Sequence, residues 1–318
     1  MNGPTRATTR EETPVFFRAG DEDLFGIVTR PNGAATGTGF MILSGGAVPF
    51  SSGRNDMSVH LCRRLAGMGH TSLRFDYHGA GESTGIVERV ELGRTHVEDT
   101  LSAVDVLREH GATRIVLAGS CGGARNALAA AKDVPELQSL ILFSLPLRDH
   151  DRVDSRAHRR AAREWNLWQY VRRALRPKTW RGFFDRRLRR VYLAFAKEKI
   201  RAVRRGETAK PAAPKGAGIT SPTVQEELIQ VIRRGIPILL VYGDEDDYYK
   251  DFVLDQNERL GSIIERGADV VDLQVLPGKV HSFHTLDLQE QLRSLVYEWL
   301  DPEKADRSTD GAARSDAR

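Results

Sequence analysis

Residues 114–128 read RIVLAGSCGGARNAL, and the fold is decided there. The stretch opens as a short apolar run, RIVLAG, with the composition of a strand buried on both faces. It closes as GGARNAL, a small-residue run rich in alanine that suits a helix packed tightly against its neighbours. Between the two stands Cys121, flanked by Gly119 and Gly123 in a G-x-C-x-G pattern. A side chain displayed on a sharp strand-to-helix turn needs neighbours without bulk, which is the logic of a nucleophile elbow. The first helical turn then aims N–H groups and the positive dipole end at that side chain, which favours thiolate over thiol. The plain alternative is a buried structural cysteine on a glycine-rich turn. Ser120, one position before the centre of the turn, is a second candidate nucleophile.

Outward from this stretch the chain alternates strand and helix. Strand-like runs are PVFFRA (14–19), LFGIVTR (24–30), GFMILS (39–44), TSLRFDY (71–77), LQSLILFSLPL (137–147), IPILLVYG (236–243) and VVDLQVL (270–276). Helical periodicity covers 56–68, 97–109, 122–132, 224–234, a segment from about 250, and 286–300. Apolar runs this continuous predict a mostly parallel, eight-stranded sheet with helices on both faces. The polar ends, 1–13 and 301–318, lack periodicity and are expected to be disordered tails. Residues 14–147 and 223–300 are then the core of one α/β domain. Residues 148–222 interrupt it as a basic helical cap and linker, with the Gly/Pro/Ala-rich stretch 206–222 as a flexible connector.

The insertion is unusual in charge. Between Leu147 and Lys210 stand 21 Lys or Arg against 7 Asp or Glu, a net of +14, so the rest of the chain carries −10 to give +4 overall. Trp180, Phe183, Phe184, Leu188, Val191, Tyr192 and Phe195 recur at helical spacing among arginines, a pattern that packs a helix onto a body. Trp180, Arg186, Arg187 and Arg190 are the candidate substrate-binding residues, on the argument that a basic surface attracts an anionic substrate. No nucleic-acid-binding motif accompanies the charge, and a nucleic-acid partner is not expected.

Composition bounds the rest. The chain is 40% hydrophobic and 28% charged, ordinary for a globular protein. No apolar run reaches the roughly 20 residues of a membrane span. The first residues, MNGPTRATTREETP, lack the apolar stretch of a signal peptide. Two cysteines, Cys62 and Cys121, make no disulfide framework, which points to a reducing, cytoplasmic setting. Cys62, in HLCRRLAG, reads as a small buried hydrophobe. The histidines and cysteines show no metal-ligand spacing, so neither metal nor cofactor is expected.

The remaining chemistry lies after two late strands. IPILLVYG ends in Gly243-Asp244-Glu245-Asp246-Asp247, where a carboxylate can orient a histidine. Asp246 is the first choice, with Asp244 and Asp247 open. VVDLQVL leads to PGKVHSFHTL, where His281 is the candidate general base and His284 the alternative. Cysteine, acid and histidine follow the chain order 121, 246, 281. The oxyanion hole is expected from the Gly122 N–H and from Gly46 in Ser44-Gly45-Gly46-Ala47.

The run LRFDYHGAGESTG, the elbow, the YGDEDD loop and the PGKVHSF loop together resemble the α/β-hydrolase superfamily over roughly residues 14–300. More narrowly the chain resembles the exosortase A system-associated hydrolases and their serine-aminopeptidase-like relatives. That resemblance rests on a cysteine-bearing elbow and on a basic, aromatic segment comparable to LRPKTWRGFFDRRLRR. Dienelactone hydrolases share the elbow but are shorter and lack such a cap. Ser44 stands where many hydrolases carry His before the oxyanion glycine. The resemblance implies an enzyme acting on ester, thioester or amide bonds of a small-molecule or carrier-bound acyl substrate. Transfer of the acyl group to an amine or alcohol is the second expectation. A non-catalytic protein docking an anionic partner through its basic cap is the third.

Overall fold

The computed structural model describes residues 11–45, 51–86, 95–149, 220–256, 259–281 and 283–300. Its strands are β1 (Glu11–Ala19), β2 (Glu22–Arg30), β3 (Thr38–Leu43), β4 (Thr71–Phe75), β5 (Arg114–Ser120), β6 (Leu137–Phe143), β7 (Ile238–Gly243) and β8 (Val271–Leu276). They form one eight-stranded sheet in the order β1-β2-β4-β3-β5-β6-β7-β8. β2 runs antiparallel to β1 and β4, and every other pairing is parallel. The expected mostly parallel sheet is therefore present.

The helices are α1 (Met57–Gly67), α2 (Val97–Glu109), α3 (Gly122–Ala130), α4 (Pro222–Arg233), α5 (Asp247–Asp255), α6 (Arg259–Arg266) and α7 (Leu286–Trp299). Period-two alternation on β5 shows how they divide. Ile115 and Leu117 join one buried cluster with Val104 and Leu107 of α2, Ala127 and Leu128 of α3, and Leu228 of α4. Val116 and Ala118 join another with Leu61 and Leu65 of α1 and Leu292 and Val296 of α7. Successive residues face opposite sides of a strand, so an unbroken apolar run is what a sheet covered twice requires. Truncating one of these fully buried leucines to alanine typically costs about 2–5 kcal/mol.

Three element starts differ from their sequence readings for local reasons. β1 begins at Glu11, ahead of the expected Pro14, because its pairing continues to Glu11 opposite Arg30, where the two side chains form an ion pair at 2.7 Å. α4 begins at Pro222, with Ser221 accepting the Thr223 N–H, a side-chain cap followed by proline at the first helical position. α5 begins at Asp247 rather than near Lys250, which brings Tyr248 into its first turn.

β6 and β7 pair directly, and the inserted segment lies between them in sequence. Its two roots meet: Ser221 N–H donates to Leu147 C=O at 2.7 Å. Both roots also hold α5. Arg148 donates to Asp251 at 2.9 and 3.3 Å, and Thr220 bonds Asp255 through its N–H and hydroxyl. Of the expected tails at 1–13 and 301–318, residues 11–13 belong to β1, while 1–10, 301–318 and the body of the insertion, 150–219, lie outside the described residues. So do Trp180, Arg186, Arg187 and Arg190. Among the described residues no helix is long and apolar enough to cross a membrane.

Candidate active site

Cys121 stands between β5 and α3 with φ 50° and ψ −116°, a left-handed-side conformation that side-chain-bearing residues rarely adopt. The turn is locked from both directions. Cys121 N–H donates to Phe143 C=O at 3.0 Å, and Cys121 C=O accepts from Ala124 N–H at 3.0 Å. The flanking glycines are sterically required. A Cβ on Gly119 would sit 2.3 Å from Gly123 O, and one on Gly123 would sit 2.1 Å from Leu43 O. The loop after β3 lies against the same turn, since a Cβ on Gly45 would come 3.3 Å from Cys121 Cβ. Gly122 opens α3, so its N–H belongs to the group that helix geometry leaves without an intrahelical partner. Gly46, the other expected oxyanion donor, lies outside the described residues.

The acid loop separates its candidates by environment. Asp244 accepts the Gly278 N–H at 2.7 Å, joining the loops after β7 and β8. Asp247 is exposed and paired with Lys250. Asp246 is 2% exposed, and its carboxylate accepts from Gly243 N–H at 3.0 Å, Ser144 Oγ–H at 2.7 Å and His281 N–H at 3.1 and 3.2 Å. Three converging donors keep a buried carboxylate satisfied without a cation. They also tie the backbone of the histidine loop to the acid. Ser144 takes φ 47° directly after β6 to reach this position. His281 is exposed, and His284 is an exposed neighbour of Arg54 at 3.4 Å.

Tyr248 completes the group. Its hydroxyl lies 3.3 Å from Cys121 Sγ, and its ring meets the His281 imidazole edge-on, with centroids 5.4 Å apart. Sequence reading missed both Tyr248 and Ser144. The available signal for Ser144 was a lone polar residue inside the apolar run LILFSLPL.

No metal-ligand spacing stands in the sequence, yet the fold gathers His78, His96 and Asp99 with candidate ligand atoms within 4.8 Å of one another. His78 Nδ1 lies 2.9 and 3.0 Å from the Asp99 oxygens, and His78 N–H donates to the same carboxylate at 2.9 Å. The Asp99 carboxylate is thus engaged in fixing the turn after β4 to the start of α2. That turn is held further by Asp76, which accepts Ser51 N–H at 2.7 Å and sits where a Cβ on Gly81 would collide with it. Burial holds the Asp76 carboxyl above the ordinary carboxylate range.

Strand order, an elbow between β5 and the following helix, and acid and histidine loops after β7 and β8 define an α/β-hydrolase. The profile of the family described as serine aminopeptidase, S33, matches residues 46–286. The chain belongs to that family and is an α/β-hydrolase enzyme. Solved structures agree in fold. An esterase from Pyrococcus furiosus superposes with a TM-score of 0.54 at 18% identity, covering 92% of this chain and 91% of that one. Dienelactone hydrolase from Anabaena variabilis gives 0.53 at 15%, covering 91% and 96%. Proline iminopeptidase from Mycobacterium smegmatis gives 0.50 at 18%, covering 91% and 97%. No curated protein sequence matches the chain.

Proposed function

We propose that this α/β-hydrolase cleaves carboxylic ester or thioester bonds through a cysteine nucleophile, with Cys121, His281 and Asp246 as its triad. The observation that carries the reading is the strained backbone of Cys121 at the elbow, because φ 50° at a cysteine is a cost that displaying a reactive sulfur explains. Support comes from the buried Asp246, which grips the His281 loop through a main-chain hydrogen bond.

His281 takes the thiol proton, and the sulfur attacks the carbonyl carbon, forming a C–S bond while the carbonyl π pair moves to oxygen. The Gly122 N–H and a donor from the loop after β3, with Gly46 as the candidate, stabilise that oxyanion. Collapse breaks the bond to the leaving group, which departs with the proton held by His281. Water, deprotonated by His281, then attacks the thioester, the C–S bond breaks and the free acid leaves. The basic insertion, through Trp180, Arg186, Arg187 and Arg190, favours an anionic or carrier-bound acyl substrate on charge alone.

Intact-protein mass spectrometry with p-nitrophenyl acetate and an acetyl thioester tests the reading. A transient acetyl adduct is expected on the wild type and none on Cys121→Ala, whose turnover should fall by on the order of 10⁵-fold. Unchanged turnover in Cys121→Ala removes the cysteine from the mechanism. Added amines that capture the acetyl group faster than water does assign the enzyme to acyl transfer instead.

A further inference from the structure

The hydroxyl of Tyr248 reaches Cys121 across 127 positions of sequence, with 3.3 Å between oxygen and sulfur. Tyr248 is 8% exposed and belongs to the first turn of α5, two residues after the buried Asp246. The loop that delivers the acid therefore also delivers a hydroxyl to the nucleophile. A phenol ordinarily titrates near 10 and a thiol near 8.5, so around neutrality the phenol keeps its proton whichever state the sulfur is in. Either atom can donate while the sulfur is a thiol, but a thiolate can only accept. The contact is then charge-assisted, and hydrogen bonds to ions are roughly twice as strong as neutral ones.

We propose that Tyr248 is a catalytic residue that donates its hydroxyl hydrogen bond to the Cys121 thiolate, holding the nucleophile charged before attack and again as the thioester breaks. The inference rests on Cys121 being the nucleophile. No proton is transferred by the phenol: His281 carries the proton in both half-reactions, and Tyr248 supplies only the hydrogen bond. A thioester sulfur is a poor acceptor, so the bond is lost on acylation and regained when the C–S bond cleaves. Its strength therefore follows the negative charge on sulfur, so it favours the steps in which that charge develops, deprotonation of the thiol and cleavage of the C–S bond, at some cost in the nucleophilicity of the thiolate. The edge-on contact between Tyr248 and His281 keeps the ring beside the imidazole, so one tyrosine borders both members of the proton-transfer pair.

The test is iodoacetamide alkylation of Cys121 against pH in wild type and Tyr248→Phe, followed by peptide mapping. Loss of a hydrogen bond to an ion should raise the midpoint by about one pH unit. Because nucleophilicity rises with basicity, the plateau rate above the midpoint should increase about three-fold. A raised midpoint together with a raised plateau is a pair of changes that general loosening of the site does not produce. The acid limb of kcat/KM should move upward with the alkylation midpoint. If Tyr248→Phe does not fold, 3-fluorotyrosine at position 248, a better donor, should shift the midpoint downward instead. Superimposable alkylation curves, or a shifted midpoint with no change in the plateau, overturn the proposal. Failure of the underlying reading is distinct: Cys121→Ala would then retain turnover, whatever the alkylation curves show.

Discussion

Cys62 and Cys121 are the two cysteines of this chain, and their surroundings make them chemically unlike. Cys62 lies on α1 with no exposure, and burial pushes its thiol up to about 11. Ser72 and Arg74 pull the other way and only partly offset that cost. Cys121 is half-buried, stands at a helix N-terminus on a strained turn, and faces a hydroxyl. A helix interior hides its side chain among apolar neighbours. A turn that breaks the strand direction presents one. The comparison teaches that the backbone element carrying a thiol sets how deeply its side chain is buried.

The widest expected gap between the two sites is in alkylation at pH 7. Mapping should find iodoacetamide on Cys121 and essentially none on Cys62, whose thiolate fraction is on the order of 10⁻⁴ with its thiol near 11. The sign follows from burial, which disfavours the charged form. Cys62 labelling should therefore appear only as pH rises towards 11 or the protein unfolds. Equal labelling of both thiols at pH 7 would abolish the contrast.

Asp246→Asn should lower kcat by on the order of 10³–10⁴-fold, as loss of the orienting acid does in triads. It should also lower the urea midpoint, because an amide NH₂ would face N–H donors that the carboxylate now accepts. Asp247→Asn, on an exposed side chain that pairs with its helix neighbour Lys250, sharpens the comparison and should leave kcat within a factor of about two.

The smallest effect is expected at Cys62→Ala. Turnover should be unchanged, and thermal unfolding should show a loss of about 1 kcal/mol from the small void left in the core. A large fall in kcat would give Cys62 a role that its burial does not suggest.

What could be read from sequence was what local chemistry determines. Gly119 and Gly123 announce the elbow because the clashes they avoid arise within a few residues and with the adjoining strand. β3, β5, β6 and β7 are legible because doubly covered strands must be apolar nearly throughout. Asp246 was the first choice among Asp244, Asp246 and Asp247, but what sets its surroundings apart was not legible, since the three stand within four positions. The Asp246 carboxylate is held by Ser144 and His281, 102 and 35 positions away. Tyr248 was missed for a related reason. The helix signal was placed from Lys250, and with the first turn assigned to a loop, no face pointed the tyrosine at the sulfur.

The hydrogen bond between Ser221 and Leu147 has an engineering consequence. Where two chain ends already touch, the stretch between them is topologically a graft, and the host need not move to accept a longer, shorter or foreign one. Replacing residues 150–219 by a brief glycine–serine bridge should therefore yield an enzyme with its sheet intact. Under the proposed role of the insertion in substrate binding, such a splice would let substrate choice be exchanged separately from the machinery that breaks the bond.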